Sequence, residues 1–309
     1  MENSQKNKRR AYIYIILAGV LWGVIGLFLN ILLDAGFTRL QVTLIRMGTA
    51  AAGLAVYTFA KDRKLFKIKL RDLWCFLGTG LVSVLLMNIF YFRAIESTGL
   101  SVAAVLLYTS PVFVTLMSAL FFKEKLTAKK LVALPVTVLG CVLVTGLAGG
   151  ASVCASVPGI LSGIASAITY ALYSIFGRCA LNRGYSPVTV SLYTFIFSAL
   201  GALPLVLLEG AAFPSVLIPS SALASLGIGI VSCLLPFLFY TKGLSNIETG
   251  KASIIVTVEP LTATVAGAIA YCEPFTAAKI AGMVLIFASI ALLSVEKKKN
   301  LYKGGNIYA

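Results

Sequence analysis

The sequence predicts an all-α membrane protein: ten transmembrane helices arranged as two inverted five-helix repeats. Three observations predict it. The 309 residues are 59% hydrophobic and only 12% charged, too few charges to cover a soluble fold. The apolar residues fall in runs of about 20, the length that crosses a hydrocarbon core of ~30 Å. The two halves also carry one pattern. Pro111, Glu124 and Thr127 superpose on Pro260, Glu273 and Thr276 at a single offset of 149, as do Tyr91 on Tyr240 and Ala103 on Ala252. A repeat at half the chain length points to duplication. An odd number of spans per unit, joined by short loops, would place the second unit upside down.

The spans are read at roughly 11–33, 40–60, 73–93, 99–122, 129–147, 158–177, 187–208, 221–241, 250–271 and 277–295. The first begins after MENSQKNKRR, and its 23 apolar residues exceed a secretory-signal core, so it reads as a retained anchor. The Gly- and Ser-rich link Gly146–Gly159 divides the chain into a first repeat, 1–149, and a second, 150–309. The polar tail from Glu296 reads as a short cytoplasmic extension.

The net charge of +15 would suit nucleic acid if it formed a patch, but its placement argues otherwise. With the N-terminus inside, 22 of the 26 Lys and Arg fall in cytoplasmic segments, and only Arg39, Arg93 and Lys279 lie at outer loops. This positive-inside bias puts both termini in the cytoplasm of a cell-membrane protein. No nucleic-acid partner is expected; the partners are the lipid bilayer and a small-molecule substrate. A monomer and a homodimer both fit. The six cysteines are scattered without a CxxC, and the chain has no histidine, so neither a metal nor a cofactor is expected.

Glu259 is the most unusual residue. It lies about 12 Å along a helix from Lys251, near the midplane, where an ionised carboxylate costs ~3 kcal/mol unless it faces protein or water. It is a candidate for binding a proton or a cationic substrate group; a structural, hydrogen-bonded Glu is the alternative. Pro260 follows it and should leave the Val256 carbonyl without its helical donor. Pro111, its repeat mate, follows Ser110, and the two prolines are candidate helix breaks. Arg46 reads as an anchor that snorkels outward, with substrate contact as the alternative.

Polar and aromatic residues gather on particular segments. Trp22, Asn88, Tyr91, Tyr108, Ser110, Ser166, Tyr170, Tyr173, Tyr240 and Thr262 are the remaining cavity candidates. Ser162, Ser166, Tyr170, Tyr173 and Ser174 draw one stripe along the sixth segment. An interfacial aromatic belt would also account for Tyr91 and Tyr240. Small residues at four-residue spacing, such as Gly19 and Gly23, suit close helix packing. Glu124 and Glu273, each three residues before a Thr, read as turn residues.

These stretches carry a resemblance. YFRAIESTGLSVAAVLLYTSPVFVTLMSALFFKEKLTAKK, from Tyr91, and YTKGLSNIETGKASIIVTVEPLTATVAGAIAYCEPFTAAK, from Tyr240, resemble the two EamA domains of the drug/metabolite transporter superfamily. GVLWG (Gly19–Gly23), TLIRMGTAAAG with Arg46, and ASAITYALYS on the sixth segment fit the same family. The resemblance covers about residues 11–295. It implies ten helices in inverted repeats and transport of small metabolites, often amino acids and mostly outward. It also implies a central cavity lined by helices 1, 3, 4, 6, 8 and 9.

The expected function is therefore a secondary transporter of small polar or aromatic metabolites, exporting by alternating access. A lipid or lipid-carrier flippase on the same scaffold is the alternative, with Arg46 its one deep basic contact. An enzyme is not expected, because the chain has no GxSxG and no cluster of membrane-embedded acids. It also has no GxxxxGK[ST] for nucleotide hydrolysis.

Overall fold

In a computed structural model, residues 2–147, 156–215, 218–271 and 275–294 are described. The boundary between the two expected repeats, Cys154, Cys272, Glu273 and the tail from Glu296 lie outside them. The described residues form helices and no strand. In chain order these are α1 (Glu2–Gly23), α2 (Ile25–Asp34), α3 (Arg39–Lys61), α4 (Leu73–Leu77), α5 (Leu86–Thr98), α6 (Leu100–Leu107), α7 (Ser110–Phe122) and α8 (Ala128–Val144). The second half holds α9 (Val157–Asn182), α10 (Pro187–Glu209), α11 (Pro219–Gly229), α12 (Leu235–Leu244), α13 (Thr249–Ile255), α14 (Val258–Tyr271) and α15 (Ala277–Ser294).

Several short helices stack end to end into one rod. α4 and α5 are joined by a π-helical stretch, Gly78–Leu85, and α11 and α12 by another, Ile230–Leu234. α6 and α7 are broken at Tyr108 and Thr109, just before Pro111, and α13 and α14 at Val256 and Thr257, just before Pro260. Helix starts follow local chemistry. Thr38 and Gln41 form a reciprocal capping box on α3, and Ser156 and Ser186 cap α9 and α10, each followed by a proline in the first turn.

Ten spans were expected, but the structure does not support that count or the five-plus-five arrangement built on it. Among the described residues, eight helices are long and apolar enough to cross a membrane. The fifth and tenth segments fall short. α8 has 17 residues and carries Lys129 and Lys130 near its start, and the apolar part of α15 runs over Ala277–Leu293. At 1.5 Å per residue each apolar helix reaches about 25 Å, less than a ~30 Å core.

α8 and α15 instead pack antiparallel on each other. A β-carbon at Gly282 would lie 2.6 Å from the Gly140 carbonyl oxygen, and Thr137 donates to Ser289 at 2.8 Å. Small residues let these backbones touch, which is how helices associate where water does not drive them together. Gly19 and Gly23 do the same for α1 against α14. Their β-carbons would each lie 2.7 Å from a backbone oxygen, of Val256 and Glu259 respectively. The Val256 carbonyl is also not left open as expected, since the Glu259 N–H donates to it at 3.0 Å.

Candidate functional site

Helices α1, α9 and α12 set the site's geometry. Trp22, in the last turn of α1, packs edge-on to Phe237 of α12 and lies beside Tyr170 of α9 and Tyr240 of α12, with ring centroids 5.1 to 6.4 Å apart. Tyr173 stands perpendicular to Phe237 at 5.0 Å. Two hydrogen bonds of 2.7 Å fix these rings: Tyr173 with Thr241, and Ser174 with Tyr240. Trp22, Tyr173 and Tyr240 are buried, so Tyr240 belongs to an internal aromatic layer and not to an interfacial belt. Offset and edge-to-face ring pairs of this kind add stability beyond the area they bury.

Glu259 lies in the first turn of α14, deep in the bundle, yet keeps part of its surface free of protein. The Tyr108 hydroxyl, at the break between α6 and α7, lies near its carboxylate. Tyr91, Tyr170 and the Arg46 guanidinium lie close enough to feel its charge. Arg46 does not snorkel outward. Its Nη2 donates to the Asn88 side-chain oxygen at 3.1 Å, and the Asn88 amide donates to the Val84 carbonyl at 2.6 Å. The cost of holding an isolated charge in lipid accounts for the inward turn.

The structure thus brings together Trp22, Asn88, Tyr91, Tyr108, Tyr170, Tyr173, Tyr240 and Glu259. Three other candidates turn to their own helices or are buried. Ser166 donates to the Gly163 carbonyl of its own helix, Thr262 to Val258 of its own helix, and Ser110 is buried at the start of α7. Pro111 and Pro260 are buried in the first turns of α7 and α14.

Glu124 was read from sequence as a turn residue, and the structure gives it much more to do. Its carboxylate accepts the backbone N–H groups of Thr249 at 2.6 Å and Gly250 at 3.1 Å, at the start of α13. The ammonium of Lys130, whose side chain is fully buried, lies 3.4 Å from Glu124 and 2.9 Å from Glu248. Arg178 of α9 donates to the Thr249 hydroxyl at 3.1 Å and also to the Ile247 carbonyl. Burial alone would push the Glu124 carboxyl up. The N–H groups of Thr249 and Gly250, the Thr249 side chain and Lys130 outweigh it and hold the group below its ordinary value. The available signal was a Thr-Gly pair opening a helix whose free N–H groups need an acceptor. The partner lay too far along the chain to be read.

A cavity of about 350 Å³ opens at this end, bordered by Lys8, Tyr12, Glu124, Arg178, Asn182 and Glu248. Arg183 pairs with Asp72 at 3.1 Å, which brings the Lys- and Arg-rich 61–71 segment to the same end. Along α9 three layers therefore follow one another. Tyr170 stands with Glu259, Tyr173 and Ser174 in the aromatic layer, and Arg178 at the basic end, about 12 Å from Tyr170 by the helical rise.

The model of the EamA-like transporter family matches residues 9–146 and again 157–295. The chain belongs to the EamA-like transporter family. Its relatives agree. An uncharacterized transporter of Archaeoglobus fulgidus is 29% identical over 90% of this chain and 94% of its own length. The uncharacterized inner membrane transporter YicL of Salmonella typhimurium is 26% identical over 94% and 97%. The uncharacterized transporter YxxF of Bacillus subtilis is 26% identical over 96% and 93%. A solved crystal structure, 21% identical, shares the fold with a TM-score of 0.78 over 92% of this chain and 96% of that one. With its apolar helices, this EamA protein is a multi-pass membrane transporter.

Proposed function

We propose that this EamA protein is a secondary transporter of small polar or aromatic metabolites, amino acids among them, and that it exports them from the cytoplasm by alternating access. The observation that carries the reading is the acidic Glu259 deep in the bundle, with Tyr91, Tyr108, Tyr170 and Arg46 near its carboxylate. Trp22, Tyr173 and Tyr240 lie between it and the basic end, as an inner gate would. The matched interruptions before Pro111 and Pro260 supply hinges, since unwound helix at membrane depth is tolerated where it lines a cavity. Residues 1–149 and 150–309 act as the two moving units. The basic end faces the cytoplasm of the cell membrane, with both termini on that side, because Lys8, Arg178, Lys251 and the 61–71 segment gather there.

The flippase alternative needs a basic head-group contact reachable from lipid, and Arg46 is spent inward on Asn88. The test is efflux from proteoliposomes loaded with radiolabelled amino acids, nucleosides and aromatic amines. Efflux of at least one of these above protein-free liposomes supports the reading. Movement of fluorescent lipid without movement of any soluble solute would replace it with the flippase.

A further inference from the structure

The segment between α3 and α4 is pinned on one side and charged on the other. The Thr189 hydroxyl donates to the Leu65 carbonyl at 2.9 Å, and the Tyr193 hydroxyl to the Phe66 carbonyl at 2.7 Å. The Tyr185 hydroxyl accepts the Lys69 N–H at 3.0 Å and donates to Asp72 at 2.7 Å. Phe66 packs on the main apolar core, and Ile68 on a smaller one around Phe76 and Val190. Lys61, Arg63, Lys64, Lys67, Lys69 and Arg71 are all exposed. The two acids of the stretch are spent locally. Asp62 accepts the Lys64 N–H at 2.9 Å, and Asp72 takes Tyr185 and Arg183. Among the described residues, the ion pairs are made by Lys130, Lys251 and Arg183, and none by these six cations. Aromatic rings mark their height. The Lys61 ammonium lies 5.3 Å from the centre of the Tyr57 ring, Arg63 4.0 Å from Phe59, and Arg183 4.8 Å from Trp74. Phe59 is 60% exposed and Val56 70%, on a helix long and apolar enough to cross the membrane, so this side of α3 faces lipid. Cations folded over exposed rings at the end of such a helix stand at head-group level. Leu70, 85% exposed between Lys69 and Arg71, adds an uncovered apolar side chain suited to the acyl boundary.

We infer that residues 61–71 form a docking surface for the head groups of anionic phospholipids, of which phosphatidylglycerol is the simplest. The lysines supply point charges, and Arg63 and Arg71 supply donor forks that match a phosphate. A choline head group brings its own cation and gains less from the same surface. The hydrogen bonds to Tyr185, Thr189 and Tyr193 hold the backbone in place, so a docked lipid does not have to order a loose basic loop. The surface lies at the rim of the bundle, at head-group level, so it binds a lipid without carrying it across. It requires only that the chain spans a membrane and stands apart from the choice of transported molecule.

Trp74 supplies the test. It is one of the chain's two tryptophans and is exposed, whereas Trp22 is buried. Purified full-length protein is reconstituted in phosphatidylcholine vesicles with rising fractions of phosphatidylglycerol or phosphatidylcholine carrying brominated chains. Quenching of tryptophan fluorescence then reports which lipid sits beside Trp74, and Trp74→Phe gives the Trp22 background. Phosphatidylglycerol should be preferred about fivefold at low salt, the effect of roughly one cation near a charged membrane surface. The preference should shrink at high salt. The combined variant Lys64→Gln, Lys67→Gln, Lys69→Gln should bring it close to unity. Lys6→Gln, Arg9→Gln, Arg10→Gln removes the same charge from the exposed start of α1 and should leave the preference intact. If the first combination does not fold, Lys67→Gln alone should lower the preference and Lys67→Arg should keep it. Equal quenching by the two lipids would overturn the inference, as would a preference that survives neutralisation of the segment. Equal loss in both triple variants would also overturn it, since the effect would then belong to the general positive charge of this end.

Discussion

The Glu124 carboxylate accepts the Thr249 backbone N–H at 2.6 Å, across a chain separation of 125 residues. The contact fastens the loop after α7 to the start of α13, and with it the two halves of the molecule. A carboxylate at a helix N-terminus meets both unpaired N–H groups and the positive end of the helix dipole. Lys130 adds a buried ammonium, and Arg178 holds the same turn from α9. The basic end is thus tied by groups that can separate without breaking any helix.

Replacing Glu124 by Gln should weaken this tie. Hydrogen bonds to a charged group contribute about 1.5–3 kcal/mol each, so a loss of about 2 kcal/mol is expected. It would appear as a lower unfolding midpoint in detergent near pH 7. The folded carboxyl titrates below its ordinary 4.5. Its contribution is therefore fully present above that pH and is lost as pH falls through the lower folded value. In Glu124→Gln the acid side of the stability profile should flatten. A wild-type midpoint and profile in the variant would mean that the contact adds nothing.

The glycines of α1 and α2 give a steric prediction. A β-carbon at Gly19 would sit 2.7 Å from the Val256 carbonyl oxygen, whereas one at Gly26 would meet nothing within 4 Å. Gly19→Ala should lower the yield of folded protein in size-exclusion chromatography, and Gly26→Ala should match wild type. Equal profiles would show that α1 and α14 can separate at little cost.

Orientation can be checked with single cysteines in a cysteine-free background. Lys64 lies exposed just beyond the end of α3, and Ala212 exposed beside its start, where Gln41 donates to the Ala212 carbonyl. A membrane-impermeant maleimide added to intact cells should label a cysteine at Ala212 and spare one at Lys64. The reverse pattern would put the basic end outside.

Pro111 and Pro260 each follow an interruption in a rod. If the interruptions serve as hinges, Pro111→Ala and Pro260→Ala should both insert and fold but slow proteoliposome efflux severalfold. Two folded variants transporting at the wild-type rate would leave the prolines as packing residues.

Much of this architecture was legible because it is periodic or chemically conspicuous. Apolar runs announce helices, Pro111 and Pro260 announce their interruption, and a carboxylate at Glu259 is too costly in lipid to be incidental. Trp22, Tyr170, Tyr173 and Tyr240 stood out as aromatic or polar rings on helices otherwise aliphatic. The helix count was not legible, because a 17-residue apolar run looks like a span until its ends are known. Nor was the Glu124 tie, since its partners are backbone N–H groups half a chain away that have no residue signature. Arg46 misled for a related reason. Its direction depends on Asn88 of another helix, and helical position alone fits either snorkelling or inward burial.

Glu259 remains the residue whose chemistry most directly bears on energy coupling. It is an acidic group deep in the bundle, and Tyr108 and Arg46 are placed to respond to its charge. A secondary exporter driven by protons needs a group that takes a proton from one side and releases it to the other while the substrate moves. Glu259→Gln keeps the size and a hydrogen-bonding partner for Tyr108 but cannot exchange a proton. If Glu259 couples transport to protons, efflux by the variant should lose its dependence on an imposed pH gradient while exchange of labelled for unlabelled substrate continues. If it only binds a cationic group, the gradient dependence should survive while half-saturating concentrations of cationic substrates rise about tenfold, the effect of losing ~1.4 kcal/mol of binding. An unchanged rate, gradient dependence and selectivity would reduce Glu259 to a structural hydrogen-bonding residue, and export would then need another group to drive it.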